Sequence, residues 1–561
     1  MLRPLTLAAL ALTVAACGTS HSPQSTADYA GDYAAAEMAA PAAAPAPPAR
    51  ARGLAADEGP PLRPGPNREG YAPLEEVGFK TVAAAPLSTF SIDVDRASYA
   101  NTRRFLESGR LPVPDAVRIE ELVNAFDYGL PGPGEGGHPF AVSTEVTDAP
   151  WAPGHHLVRV SLQGRRVETE ALPPANLVFL LDVSGSMDAP DKLPLLKRAF
   201  RLLVRELRPQ DRVAIVVYAG ASGVVLEPTS DKRRILDALD RLGAGGSTGG
   251  AEGLRLAYRV AREHFDPAAT NRVVLATDGD FNVGVSSDAE MKRLVEAERE
   301  GGVALSVLGF GTGNLQDSKM EALADHGNGN YAYIDGVREA ERVFVREFGG
   351  TLFAIAKDVK VQVEFNPARV AGYRLIGYEN RALAAEDFND DRKDAGELGA
   401  GHTVTALYEV VPAGVAVPAA GVDELRYQTP RETARPARSG EWLTVALRYK
   451  PATGAGTFSD ESVRLAVPVA GGAVPLARAS EPTRWAVAVA EAGLLLRRSA
   501  HAPGASYAHA LDLARGARGA DPHGDRAEFV RLVETAAALA ATEGAAPGGQ
   551  AVRAERAPVH D

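Results

Sequence analysis

Between Pro173 and Phe353 the chain alternates between two kinds of segment, and that alternation constrains the fold more than any other feature. "NLVFLLDV", "DRVAIVVYAG", "NRVVLATDG" and "GVALSVLGFG" are rich in β-branched residues, bounded by turn residues and without a polar face. Strands covered on both faces read this way. Helical segments lie between and after them. "KLPLLKRAFRLLVREL" sets Leu193, Leu196, Phe200, Leu203 and Leu207 along one stripe, the pattern of a helix packed on a core. "DKRRILDALDRL", "GGAEGLRLAYRVAREHF", "DAEMKRLVEAEREGG" and "SKMEALADHG" follow. Strand and helix in turn predict an α/β domain over residues 173–353 with a doubly wound, mostly parallel sheet.

In such a sheet the ligand crevice opens at the carboxyl ends of the strands. The first strand delivers Asp182, Ser184 and Ser186 to that edge, in "LDVSGSMD". "VVLATDGD" brings Asp278 to it, and "AGGSTGGAEGL" adds Thr248 in a glycine-rich turn before a helix. Two carboxylates and three hydroxyls form an oxygen-only donor set, which suits a hard divalent cation such as Mg²⁺ (or Mn²⁺/Ca²⁺). The plainer alternative is a polar turn in which Asp182 and Ser184 bond backbone amides. Three dispersed pieces meeting on one α/β frame favour the cation.

This arrangement resembles the metal-ion-dependent adhesion site of von Willebrand factor type A domains, whose pattern is Asp-x-Ser-x-Ser, then a threonine, then an aspartate. The resemblance implies that Ser184, Ser186 and Thr248 coordinate the metal directly or nearly so, while Asp182 and Asp278 act mainly through bound water. It also implies an open metal position for a carboxylate from a protein partner. "FSIDVDRASYANTRRFLESGRLPVPDAVRIEELVNAFDY", "LFAIAKDVKVQVEFNP" and "YRLIGYENRAL" resemble the segments that flank this domain in a family of bacterial type A-domain lipoproteins.

The flanks carry their own signals. Residues 1–17 hold an arginine, the apolar run "LTLAALALTVAA" and then "VAAC", a lipoprotein signal peptide with Cys17 as the acylated residue. Gly18 after it favours the outer membrane over the inner. Residues 18–70, Ala- and Pro-rich, read as a disordered linker with a reach on the order of 40 Å. Residues 71–166 read as an N-terminal α+β segment, with Ser98 capping its first helix. Val117, Leu122, Val123 and Phe126 line the second helix, and the later alternating strands look half-buried. Residues 354–475 read as a β-rich domain that can share a sheet with the strands before the α/β unit. Residues 480–545 carry two helices, one opening at Ser480-Glu481-Pro482 with Trp485, Val489 and Leu496 inward. The other has Asp525 and Glu528 at capping-box spacing, with Phe529, Leu532 and Val533 inward. Residues 546–561 read as a disordered tail.

Other clusters carry less. Asp93 to Asp95 ("DVD") reads as a strand end and helix cap, and Asp280 as a support for its loop. Asp387, Asn389, Asp391 and Asp394 approach calcium-loop spacing, but Arg392 stands where the glycine is needed, so a solvated acidic loop is expected. "GFGTGN" is a turn, and His155-His156 opens a strand. The single cysteine excludes internal disulfides and cysteine metal clusters. A net charge of -12 argues against nucleic acid as a partner. No His or Lys lies within the three site loops, so a nucleophile with an activating base is missing there. The expectation is a non-enzymatic, cation-dependent protein-binding module of the cell envelope, held to the membrane by its lipid and binding an acidic residue of its partner. A metal-dependent hydrolase or phosphotransferase, and a structural lipoprotein with a loop-stabilising metal, are the alternatives.

Overall fold

The central strand of the α/β unit, Ala175–Asp182, is buried at all eight positions. In the computed structural model its alternate residues feed two separate cores. Leu177, Phe179 and Leu181 pack with Leu196, Phe200 and Leu203 of helix Leu193–Glu206. Val178 and Leu180 pack with Leu254 and Tyr258 of helix Gly250–Glu263. A strand covered on both faces needs apolar residues at successive positions, which is why its sequence lacks polar alternation. The structure describes residues 68–92, 95–247, 249–279, 288–418, 440–454 and 456–545. Cys17, the signal peptide, linker residues 18–67, Asp93, Thr248, Asp280 and the tail 546–561 lie outside the described residues.

The six-stranded sheet runs Tyr331–Ile334, Val303–Phe310, Thr270–Thr277, Ala175–Asp182, Arg212–Tyr218, Ser222–Thr229. The first five are parallel neighbours. Ser222–Thr229 joins antiparallel as an edge strand, through the tight turn in which Ala219 N donates to Ala221 O at 3.0 Å. That edge strand was not foreseen. Its "SGVVLEPT" exposes Val224 and Val225 side by side, so it lacks a clean period.

The flanking strands form two sheets in which residues from before and after the α/β unit pair directly. His156–Gly164 lies between Phe140–Asp148 and Thr403–Pro412, with Val370–Ile376 beyond. In the second sheet Ala354–Phe365 lies between Leu87–Ser91 and Glu441–Gly454. The two sheets face each other across Phe90, Val158, Val160, Val361, Val404, Tyr408 and Val445.

The half-buried expectation for residues 71–166 fits Phe140–Asp148, intermediate at five of nine positions, but not His156–Gly164, buried at eight of nine. Thr403–Pro412 is buried along almost its whole length, because helices cover its second face. The polar residues there pair with one another. Glu409, fully buried, accepts from Trp151 Nε1 at 2.9 Å, from His155 Nδ1 at 2.6 Å and from Arg374 Nη2 at 2.8 Å. Buried polar groups persist when they are bonded in this way.

The covering helices are Ile119–Asn124, Glu481–Arg497, Tyr507–Gly516 and Asp525–Ala545. The C-terminal part therefore has three helices, not two; Ser506 caps the additional one by accepting from His509 N. Phe126, Trp485 and Phe529 meet edge to face within 5.5 Å, and Ser480 caps its helix as expected. Two capping assignments are corrected. Ser98 lies inside helix Ala97–Glu107, where its hydroxyl donates to Ala116 O and accepts from Arg118 N. The last helix is capped by Asp521, which accepts from Arg526 N and Ala527 N, leaving Asp525 to pair with Arg342 and Arg346. Among the described residues no helix is long and apolar enough to cross a membrane.

Candidate metal-binding site

Three adjacent strand ends converge on one carboxylate. Asp182 closes the central strand, and its Oδ2 accepts from Tyr218 Oη and Thr277 Oγ1, both at 3.1 Å. Those two residues close the neighbouring strands on either side. Asp182 Oδ1 accepts from Ser184 N at 2.9 Å. Burial pushes the Asp182 carboxyl above its ordinary range; the bonds from Ser184 oppose this, and the charge of Asp278 adds to it.

The chain then turns through Gly185–Asp188, setting Ser184 Oγ and Ser186 Oγ 3.1 Å apart. Ser184 is buried and Ser186 half-buried, and the fully buried Asp182 lies beneath the start of their loop. The glycine-rich turn is tied to this loop by Gly185 N donating to Gly246 O and Gly245 N donating to Val183 O. Gly246 has φ +85, a conformation that favours glycine. Thr248, two residues on, is outside the described residues.

Asp278 follows the strand Thr270–Thr277 and is fully buried. Lys192 Nζ donates to its Oδ2 at 2.8 Å, and Asn314 Nδ2 reaches the same oxygen at 3.4 Å. Lys192 was missed from sequence because it stands well past "DVSGSM", at the start of helix Leu193–Glu206. A cation there opposes the helix dipole, which is the signal that could have raised it. The turn "GFGTGN" was read as a turn and is one, but its place at the site was also missed. Gly311, at φ +73, lies so close to the Lys192 stem that a Cβ would overlap it. Arg68 N and Gly70 N donate to Gly313 O and Leu315 O, and Gly313 N donates to Glu69 Oε1. Residues 68–70 thus strap that turn.

The donor set fits a hard divalent cation. Octahedral coordination at 2.0–2.1 Å places neighbouring ligand oxygens about 3 Å apart, which the Ser184–Ser186 pair matches at 3.1 Å. Among the described residues no group of three or more His, Cys, Asp or Glu could hold a metal. The donors that Asp182, Ser184, Ser186 and Asp278 offer are all oxygens, which harder cations prefer.

The other clusters resolve into ion pairs. Asp387 accepts from Ala384 N, Asp391 pairs with Arg448 and Ser462, and Asp394 pairs with Arg299. The Arg448 bond holds the Asp391 carboxyl down at about 2. Asp95 does not cap the helix after it; its carboxylate accepts from Tyr331 N at 2.9 Å and pairs with Arg381. His155 bonds Glu409, and His156 opens its strand with Nδ1 3.3 Å from Asp148.

Three family models match this chain. They are von Willebrand factor over residues 65–159, von Willebrand factor type A domain over residues 177–280, and Uncharacterized protein YfbK, C-terminal, over residues 350–539. Uncharacterized protein YfbK of Escherichia coli (strain K12) is 43% identical over 480 residues, 84% of this chain and 81% of that protein. The chain belongs to the bacterial von Willebrand factor type A-domain family that includes YfbK. The type A-domain match spans the positions of Asp182, Ser184, Ser186, Thr248 and Asp278. Human inter-alpha-trypsin inhibitor heavy chain H3 is 28% identical over 260 residues, 42% of this chain and 28% of that protein. Among solved structures, von Willebrand factor type A from Catenulispora acidiphila aligns over 71% of this chain and 91% of its own, with 17% identity and a TM-score of 0.38.

Proposed function

We propose that this type A-domain protein is a divalent-cation-dependent protein-binding module, held at the bacterial cell envelope by an acylated Cys17. The observation that carries the reading is the hydroxyl pair of Ser184 and Ser186, 3.1 Å apart, in front of an Asp182 fixed by three hydrogen bonds. Ser184, Ser186 and Thr248 would hold the cation, Mg²⁺ or a similar hard ion, with Asp182 and Asp278 behind them. When bound, the cation supplies a Lewis-acid position for a carboxylate from an acidic partner protein.

The residues of the site do the positioning. Asp182 is already satisfied by Ser184 N, Tyr218 and Thr277, so it acts through the serine loop and bound water and leaves the cation's charge largely uncancelled. The carboxylate beside the serine hydroxyls, Asp182, already accepts from Ser184, Tyr218 and Thr277. The one nearby amine, Lys192, is engaged with Asp278. That supports binding over hydrolysis, since a nucleophile needs an adjacent base.

The test is calorimetric titration of Mg²⁺ into the native chain and the Asp182→Ala, Asp278→Ala and Thr248→Ala variants. A fluorescent peptide with one central Glu, and its Gln counterpart, are then titrated into each. Native protein should bind Mg²⁺ and, once loaded, prefer the Glu peptide. The two aspartate variants should lose both activities, and Thr248→Ala should lose the peptide more than the metal. Peptide binding that survives chelator, or Asp182→Ala, would rule the proposal out.

A further inference from the structure

A cation is built into this site by the chain itself. The Lys192 side chain is 8% exposed, and its Nζ lies 2.8 Å from an Asp278 carboxylate that is wholly buried. The contact is shaped from several directions. Lys192 sits at the start of its helix, its neighbour Asp191 accepts from Thr312 Oγ1 at 3.2 Å, and Tyr333 Oη holds Gly311 O at 2.8 Å. Gly311 supplies the space through which the lysine stem passes. A buried lysine is retained only where its charge is matched. Here the match is one of the two carboxylates that a bound divalent ion would otherwise face.

We infer that Lys192 sets the ligand preference of the site, trading metal affinity for capture of an acidic ligand. This rests on the cation-dependent reading above and deepens it. Asp182, Asp278 and Lys192 together carry one net negative charge, where the two aspartates alone would carry two. A divalent ion in front of them is held less tightly and keeps more of its positive charge. The ammonium adds its own positive charge to the potential that an incoming carboxylate meets. Among groups this buried, a unit charge a few ångströms away is strong enough to decide both effects. The partner chemistry selected is an exposed Asp or Glu side chain; a neutral amide or hydroxyl donor gains little from either term.

The experiment compares native chain, Lys192→Gln and Lys192→Arg, each first shown to be folded by circular dichroism in chelator. Mg²⁺ is titrated by calorimetry, and the Glu peptide is then titrated into the Mg²⁺-saturated protein. Lys192→Gln should bind Mg²⁺ at least about tenfold more tightly and the Glu peptide at least about tenfold more weakly, the direction and scale expected from removing one nearby positive charge. Lys192→Arg keeps the charge and carries the test if the Gln variant does not fold. Both of its affinities should stay within about threefold of native, because the unit charge is retained. Mg²⁺ binding that weakens or stays the same in Lys192→Gln, or tightens in Lys192→Arg, overturns the inference while leaving cation dependence intact. Failure of the native chain to bind Mg²⁺ overturns the underlying reading instead.

Discussion

Asp182→Ala removes the shared acceptor of three hydrogen bonds, and the structure sets the size of the loss. Ser184 N, Tyr218 Oη and Thr277 Oγ1 all donate to this carboxylate from within the buried end of the sheet. Each bond contributes about 1 kcal/mol net, and more where the acceptor is charged. One term opposes the loss. A buried aspartate near Asp278 is held above its ordinary range, so deleting it relieves some desolvation and repulsion. Lys192 already compensates Asp278, which keeps that relief small. The metal-free variant should therefore be less stable by about 3 kcal/mol. Mg²⁺ at a hundred times its dissociation constant adds about 2.7 kcal/mol to the native chain and nothing to the variant, so the gap grows to about 6 kcal/mol. The assay is urea unfolding in chelator and in Mg²⁺. Circular dichroism follows the whole body, while the three tryptophans, Trp151, Trp442 and Trp485, report on the sheets and helices outside the α/β unit. Coincident transitions license a single free energy. Equal stability of the two proteins in chelator, or an equal gain from Mg²⁺, would refute the reasoning.

Arg103 is a buried hub that meets Asp335 at 2.5 Å, Glu339 at 2.8 Å and Glu528 at 3.1 Å, linking the first helix to the end of the α/β unit and to the last helix. Arg103→Met leaves Asp335 without its guanidinium, while Glu528 and Glu339 keep Arg338 and Arg342; it should cost about 3 kcal/mol in urea unfolding, and a loss under about 1 kcal/mol contradicts the hub. Burial, with Asp394 and its charge beside it, pushes the Glu397 carboxyl up to about 8. That lies above its unfolded value of 4.5, so its contribution is most favourable below pH 4.5 and is lost as pH rises toward 8, by up to about 1.4 kcal/mol per unit. Thermal melts of Glu397→Gln should gain on native between pH 6 and 8; parallel pH profiles would contradict this. Cys17→Ser should leave the protein in the soluble fraction or as an unprocessed precursor. Normal processing with full membrane retention would remove the anchor from the proposal.

The α/β frame was legible because its signals are local. An apolar strand ending in Asp182, Ser184 and Ser186 announces its own burial and its own edge. Asp278 could be placed on that edge by the same reasoning from its own strand. What escaped depends on distant partners. Lys192 and Asp278 are far apart in sequence, and nothing near either residue announces the other. The polar alternation of Thr403–Pro412 gave the right period and the wrong environment. Glu409 looks like a solvent-facing residue until Trp151, His155 and Arg374 arrive from three other segments. The capping readings at Ser98 and Asp525 failed in the same way, since each has a stronger distant partner than its own helix end.

The strap formed by residues 68–70 fixes where the rest of the N-terminal chain begins. Because Arg68 and Gly70 are bonded to the turn that also carries Gly311 and Asn314, anything joined upstream starts its path at the rim of the site. Immobilising the protein on a sensor surface, or fusing a bulky reporter ahead of Arg68, therefore crowds the face proposed to receive a partner. A short N-terminal attachment that bound nothing would be a failure of placement, and lengthening it is the first remedy.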